Sequence, residues 1–123
     1  MNELMTALYQ RINEAHEYST YKNMASQTAT YPYVIYKLLP ISPTESGRDD
    51  YTLEVSCWDK LEGTSFVEVE AIASKVRDAL LDYRYIDDHN LIITSRPNVG
   101  YIPDPDDAIK RYDVTATLMT YRR

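Results

Sequence analysis

Apolar residues recur at helical intervals in two parts of the chain. In residues 3–16 they stand three or four positions apart, which predicts an amphipathic helix with one buried face. Residues 65–80 carry a stronger stripe of the same period, and Ser65 followed by Glu68 predicts a capping box at the start of that helix. The predicted buried positions are Leu4, Leu8, Ile12 and Ala15 in the first helix, and Phe66, Val69, Ile72, Ala73, Val76, Leu80 and Tyr83 along the second.

Four other segments have the composition of strands, and the second and fourth of them alternate apolar and polar residues, which is typical of strands with one buried face. They are "YPYVIYKLL" from residue 31, "YTLEVSCWDK" over 51–60, "LIITSR" over 91–96 and "RYDVTATLMTYR" over 111–122. In the second of these segments, the predicted apolar face carries Tyr51, Leu53, Val55 and Cys57, and the opposite face carries Thr52, Glu54, Ser56 and Trp58.

The segments between these elements indicate how the strands pair. Residues 17–30, 40–50 and 97–110 are polar or rich in proline and predict connectors, so the strands of each pair are expected to form hairpins. The sequence therefore predicts one α+β domain over residues 1–123. Its sheet would be four-stranded and mainly antiparallel, with two helices packed on one face in the order α-β-β-α-β-β.

Composition and charge exclude several classes of protein. The net charge is −6, and all the excess negative charge lies in residues 45–123, whereas a duplex-binding domain has a basic footprint. The start of the chain lacks the apolar run of a secretion signal, and no segment has the length of a membrane span, so we expect folding in a cytosol. Twelve tyrosines suit either an amphipathic sheet or a contact surface.

Two features could carry chemistry, and the residues around each favour a structural interpretation. Cys57 is the single cysteine, but its predicted face is apolar and no histidine or basic residue is placed to activate a thiolate. The acids in "IDDH" (86–89) and "PDPDD" (103–107) could ligate calcium, but they lack the spacing of a calcium loop. We predict no catalytic, cofactor or metal site.

Taken together, the ordered elements resemble a known family. The aromatic-proline start Tyr31-Pro32-Tyr33, the Trp58-Asp59 close of the second strand, the helix that follows and the C-terminal strand are similar to those of tail-completion proteins of long-tailed bacteriophages and prophages. These are the tail terminators and head–tail joining proteins. The resemblance covers nearly the whole chain.

The resemblance implies a structural role in the neck of the virion. Such proteins assemble as rings, commonly homohexamers, that contact the tail-tube protein and the head-connector protein and leave a channel. DNA would pass nearby without specific binding, which carboxylates lining the channel would favour. Assembly would occur in the host cytoplasm, with no membrane and no enzyme activity.

The expected contacts can be assigned to particular residues. The candidate interface residues are Tyr36, Pro43, Arg48, Tyr101, Pro103 and Tyr121. The candidate channel-facing acids are Glu45, Asp49, Asp50, Asp104, Asp106 and Asp107. The alternative function is a small cytosolic adaptor or ligand-binding α+β domain that pairs through a sheet edge, because an exposed strand edge is a template for another strand.

Overall fold

A computed structural model describes residues 2–40, 48–60 and 65–122. Within them the chain forms α1 (Asn2–Ala15), β1 (Ser19–Lys22), β2 (Tyr33–Pro40), β3 (Arg48–Lys60), α2 (Val67–Leu80), β4 (Arg84–Ile86), β5 (Asn90–Thr94), β6 (Asn98–Tyr101) and β7 (Ile109–Arg122). Neither of these helices is long and apolar enough to cross a membrane.

The strands form one mixed sheet that curls into half a barrel. At its centre β3 and β7 pair antiparallel along the whole of β3. On the far side of β3, β2 pairs antiparallel and β1 follows parallel to β2. The other side of β7 is shared, because β5 pairs with its C-terminal part and β6 with a stretch nearer its start. β4 pairs with β5 and ends that side of the sheet.

One hydrophobic core lies between the helices and one face of this sheet. The alternation predicted for the second strand is confirmed, since Leu53, Val55 and Cys57 of β3 are all buried. The predicted stripe of α2 is confirmed by the burial of Val69, Ile72, Ala73, Val76 and Leu80. Burying one such aliphatic side chain stabilises a fold by roughly 1.5–3 kcal/mol, so these periodic positions dominate the stability of the domain.

The predicted four-stranded antiparallel sheet is wrong, because the described residues form seven strands and one pairing is parallel. The three unpredicted strands, β1, β4 and β6, have only three or four residues. Their side chains show no regular burial; all four residues of β6 are exposed. Such segments are strands because a longer neighbour supplies backbone partners, which a sequence pattern does not reveal.

The predicted capping box is also absent. α2 begins at Val67 without a side-chain cap, and Ser65 Oγ lies 3.5 Å from the Val67 nitrogen. Glu68 instead accepts a hydrogen bond from the Tyr18 hydroxyl, and Glu70 accepts one from the Tyr112 hydroxyl at 2.8 Å. Both carboxylates lie in the first turn, where the helix dipole favours negative charge, so they tie α2 to its neighbours instead of capping it.

Candidate assembly surfaces

The sheet face opposite the helices is polar, because alternation turns every second residue of β3 and β7 away from the core. Arg111, the third residue of β7, lies on this face opposite Trp58, near one end of the β3–β7 pairing. Its guanidinium forms a fork on the Asp113 carboxylate, with distances of 2.8 and 2.9 Å, and donates to Ser56 Oγ at 3.3 Å. The guanidinium carbon lies 4.7 Å from the centre of the Trp58 ring, and the Glu54 carboxylate is 3.6 Å away.

A second fork of the same kind lies near the start of β3. Arg48 donates to both carboxylate oxygens of Asp50, at 2.9 and 3.0 Å, and its guanidinium lies 5.6 Å from the centre of the Tyr121 ring. Each fork joins residues two positions apart, which share a face of the strand. The carboxylates of both forks are therefore already paired with arginine, which suits a rigid contact surface better than proton transfer.

The single cysteine lies inside the core. Cys57 is fully buried, and its neighbours across the sheet are Val34 of β2 and Tyr112 of β7. Burial, with a smaller contribution from the Asp113 carboxylate, raises the pKa of the thiol to about 12. Because the thiolate is the reactive form, Cys57 is unsuited to nucleophilic catalysis.

The buried histidine is part of a structural hydrogen-bond chain. His16 Nδ1 accepts from the backbone nitrogen of Tyr18 at 3.0 Å, so the neutral ring carries its proton on Nε2. Nε2 then donates to Thr20 Oγ1 at 2.8 Å, and that hydroxyl donates to Asn13 Oδ1 at 3.0 Å. Burial, and to a lesser extent the charge of Lys75, lowers the pKa of His16. The chain joins α1 to β1 and leaves the imidazole no free nitrogen for catalysis.

Metal binding has no support from the described part of the chain. There, no three His, Cys, Asp or Glu side chains are grouped so that they could hold an ion. Asp87, in the first of the two acidic loops, accepts hydrogen bonds from the backbone nitrogens of His89 and Asn90, at 2.8 and 2.7 Å. These bonds lower the pKa of the carboxyl group and mark a turn.

The two sides of the sheet end in short strands. Beside β1 lies a groove of about 560 Å³, to which α1 contributes Tyr9 and Asn13 and the segment before β2 contributes Tyr31 and Pro32. On the opposite side β6 presents Val99 and Tyr101 to solvent. Edge strands of this kind are templates for another chain, so both sides of the sheet are candidate contact surfaces.

A second groove, of about 500 Å³, lies where the end of α2 meets the start of β6. Its charged residues are Arg77, Asp78 and Arg96, and its apolar walls include Leu81 and Val99. Leu81 is 45% exposed and Val99 is 40% exposed, which is high for aliphatic side chains. The groove therefore combines exposed apolar surface with an excess of positive charge.

The predicted interface residues have very different environments. Tyr101 and Pro103 are exposed on β6 and in the loop after it. Arg48 and Tyr121 are half-buried on the polar face. Tyr36 is only 3% exposed, because its ring lies in the core under the helices, 6.4 Å from the ring of Tyr9, and so offers no surface to a partner. Pro43 lies outside the described residues.

The predicted channel acids also differ in their environments. Asp50 is buried in its fork with Arg48, so its charge is already balanced. Asp49 is half-buried, and Glu45 lies outside the described residues. The loop between β6 and β7 carries the remaining three carboxylates, of which Asp106 and Asp107 are exposed and Asp104 is half-buried.

Sequence reasoning did not single out Arg111 or Arg96. Arg111 lies on the polar face of a strand that was predicted, but its partners depend on the β3–β7 register, which sets it opposite Trp58. Arg96 follows β5 and becomes part of a groove only because α2 ends beside it. The sequence offered one signal for the surroundings of Arg111. This was the Trp-Asp pair at the end of an amphipathic strand, which indicated that an aromatic ring faces the polar side.

Comparisons with known proteins identify the family. The family model described as "Tail completion protein gp17" matches residues 6–121. A chain of the structure titled "Virion of native gene transfer agent (GTA) particle" shares the fold, with a TM-score of 0.63 and 16% identity over 96% of this chain and 94% of that chain. No curated protein matches the sequence. The chain therefore belongs to the tail completion protein gp17 family, whose members are structural proteins of the phage virion.

Proposed function

We propose that this protein forms a ring at the neck of the virion, where it completes the tail and joins it to the head connector. The family match over residues 6–121 carries this proposal. The ring would be a homohexamer that contacts the tail-tube protein on one side and the head-connector protein on the other. DNA would pass through its centre without being bound specifically.

The arrangement of the sheet supports assembly through repeated contacts. The described sheet ends in β1 on one side and in β4 and β6 on the other, so two different surfaces of one subunit can meet in neighbouring copies. A contact between unlike surfaces generates a ring when the rotation between copies closes.

The chemistry of the chain supports a structural role. The thiol of Cys57 is buried and its pKa is about 12, and His16 is held within a hydrogen-bond chain. The arginines and acids of the polar face are paired with one another. The net charge of −6 would limit adhesion of DNA to the ring.

Mass photometry and negative-stain electron microscopy test the proposal directly. The protein is measured alone, with the tail-tube protein and with the head-connector protein, because such proteins assemble in some cases only on a partner. We expect ring-shaped particles in at least one condition. A chain that stays monomeric and binds neither partner in all three conditions would contradict the proposal, as would tight, specific binding to duplex DNA.

A further inference from the structure

We propose that neighbouring copies join head to tail when the acidic loop of one copy enters the arginine groove of the next. The acidic loop is residues 102–108, and the arginine groove is the one of about 500 Å³ at the end of α2. This inference rests on the proposed ring and names the contact that would build it.

The arginine groove offers a guanidinium and exposed apolar side chains that suit a negatively charged, partly apolar ligand. The guanidinium of Arg77 is engaged by its neighbour Asp78, at 3.2 and 3.0 Å. Arg96 is exposed and has no hydrogen bond or ion pair with any described residue. A planar guanidinium binds a carboxylate through two parallel hydrogen bonds. The exposed side chains of Leu81 and Val99 lie beside it and match apolar rings such as those of proline.

The acidic loop has the complementary composition. Its sequence "PDPDD" alternates proline with aspartate, and Pro103, Pro105, Asp106 and Asp107 are exposed. None of its three carboxylates forms an ion pair within the described residues. Lys110 Nζ donates to the Asp107 carbonyl at the end of the loop, so three carboxylates stand beside one cation and the loop presents apolar rings together with an excess of negative charge.

The loop is also pre-organised, which lowers the entropy lost when it binds. The carboxylate of Asp104 accepts a hydrogen bond from the Asp106 nitrogen at 2.9 Å, and that of Asp106 accepts one from the Ala108 nitrogen at 3.0 Å. The Asp106 carbonyl accepts a further bond from Ile109 at 3.0 Å. Prolines at two positions restrict the backbone further.

The contact joins two copies, because no residue of the acidic loop lines the groove of its own chain. The arginine groove contacts β6 at Asn98 and Val99, whereas the loop leaves β6 at its other end, roughly 10 Å away at about 3.3 Å per residue. There the Ile102 nitrogen is held by the Arg111 carbonyl at 3.0 Å. A loop and a groove at opposite ends of one strand form a head-to-tail contact, which generates a ring when the rotation between copies closes.

Charge reversal tests this contact. We would compare the wild type with Arg96→Glu, with the pair Asp106→Lys and Asp107→Lys, and with a chain that carries all three changes. The controls are Lys75→Glu and Glu14→Lys, which reverse exposed charges on α2 and α1 outside both grooves. Mass photometry across protein concentrations measures ring formation under the condition in which the wild type assembles, and thermal melting confirms that each variant folds.

Each reversed set should weaken self-association by about tenfold or more, because like charges then meet at the contact. The chain with all three changes should recover most of the loss, and the controls should assemble as the wild type does. Ring formation by the wild type should also weaken as ionic strength rises.

Three results would overturn the inference. Unchanged ring formation by Arg96→Glu would show that the arginine groove is not a subunit contact. Unchanged ring formation by the Asp106 and Asp107 variant, with DNA now retained by the ring, would place the loop in the channel, as the family resemblance implied. Loss in all variants without recovery in the triple change would assign the groove and the loop to different partners. If the wild type forms no ring at all, the proposed function fails first.

Discussion

Removing the guanidinium of Arg111 should destabilise the fold far more than removing that of an exposed arginine. Arg111→Met keeps an apolar side chain of similar length but deletes the fork on Asp113 and the contact of the guanidinium with the Trp58 ring. The carboxylates of Asp113 and Glu54 would then share the polar face without their counter-ion. A partly buried carboxylate without a counter-ion destabilises the folded state, because it has lost hydration. In the native protein the ion pair with Arg111 offsets that loss.

The solvent exposure of the Arg111–Asp113 ion pair sets the size of the expected loss of stability. The side chain of Arg111 is 24% exposed and that of Asp113 is 11% exposed. Breaking a fully buried pair costs about 3–5 kcal/mol, whereas exposed pairs contribute about 0–1 kcal/mol. The intermediate exposure places Arg111→Met at about 2–3 kcal/mol of lost unfolding free energy. For a domain of this size that lowers the melting temperature by roughly 8–12 °C.

Arg77→Met is the matched control. Arg77 also binds an adjacent acid, with two donors on one carboxylate oxygen of Asp78, but its side chain is 48% exposed and that of Asp78 is 65% exposed. Arg77→Met removes this ion pair and a favourable positive charge near the end of α2. Together these should lower the unfolding free energy by less than about 1 kcal/mol. Chemical denaturation of both variants gives the comparison. Adding Asp113→Leu to Arg111→Met should recover stability, because it removes the stranded carboxylate. Equal effects of Arg111→Met and Arg77→Met would refute the reasoning.

Three further predictions follow from single residues. A thiol reagent at pH 8 should label Cys57 at least about a thousandfold more slowly in the native chain than in denaturant. The reason is that folding raises the pKa of the thiol from 9.0 to about 12, so far less of the reactive thiolate is present. Fast labelling of the native chain would contradict this prediction. Stability should fall as the pH drops from 7 through the unfolded histidine pKa of about 6.5, because native His16 resists protonation. Denaturation midpoints between pH 7 and 5.5 should lose this slope in His16→Gln and keep it in His89→Gln. Asp82 follows α2 with a φ of 57°, a left-handed conformation that glycine adopts more easily than aspartate. Asp82→Gly should therefore raise the unfolding free energy by about 0.5 kcal/mol. An unchanged or lower melting temperature would contradict this prediction.

The sequence by itself determined the parts of the fold that depend on periodicity. The stripe of Val69, Ile72 and Val76 required a helix with one buried face, and the alternation through Leu53, Val55 and Cys57 required a strand with one buried face. Each buried position adds to the same pattern, so a long element can be recognised without its neighbours. The family resemblance rested on long elements of this kind and on two short motifs, Tyr31-Pro32-Tyr33 and Trp58-Asp59.

Tertiary structure alone decided the features that depend on neighbours. β1, β4 and β6 are too short to carry a pattern, and they are strands because β2, β5 and β7 supply their backbone partners. Those short strands enlarged a predicted four-stranded sheet to seven.

Tertiary structure also decided the environments of the residues considered for contacts with partners. Tyr36 and Asp50 looked suited to contacts with partners, but the helices cover the first and Arg48 balances the charge of the second. Arg111 and Arg96 gained their surroundings from the strand register and from the position where α2 ends. Periodicity reports which side of an element is buried, whereas partners and grooves arise from residues far apart in the chain, and only the folded structure brings those together.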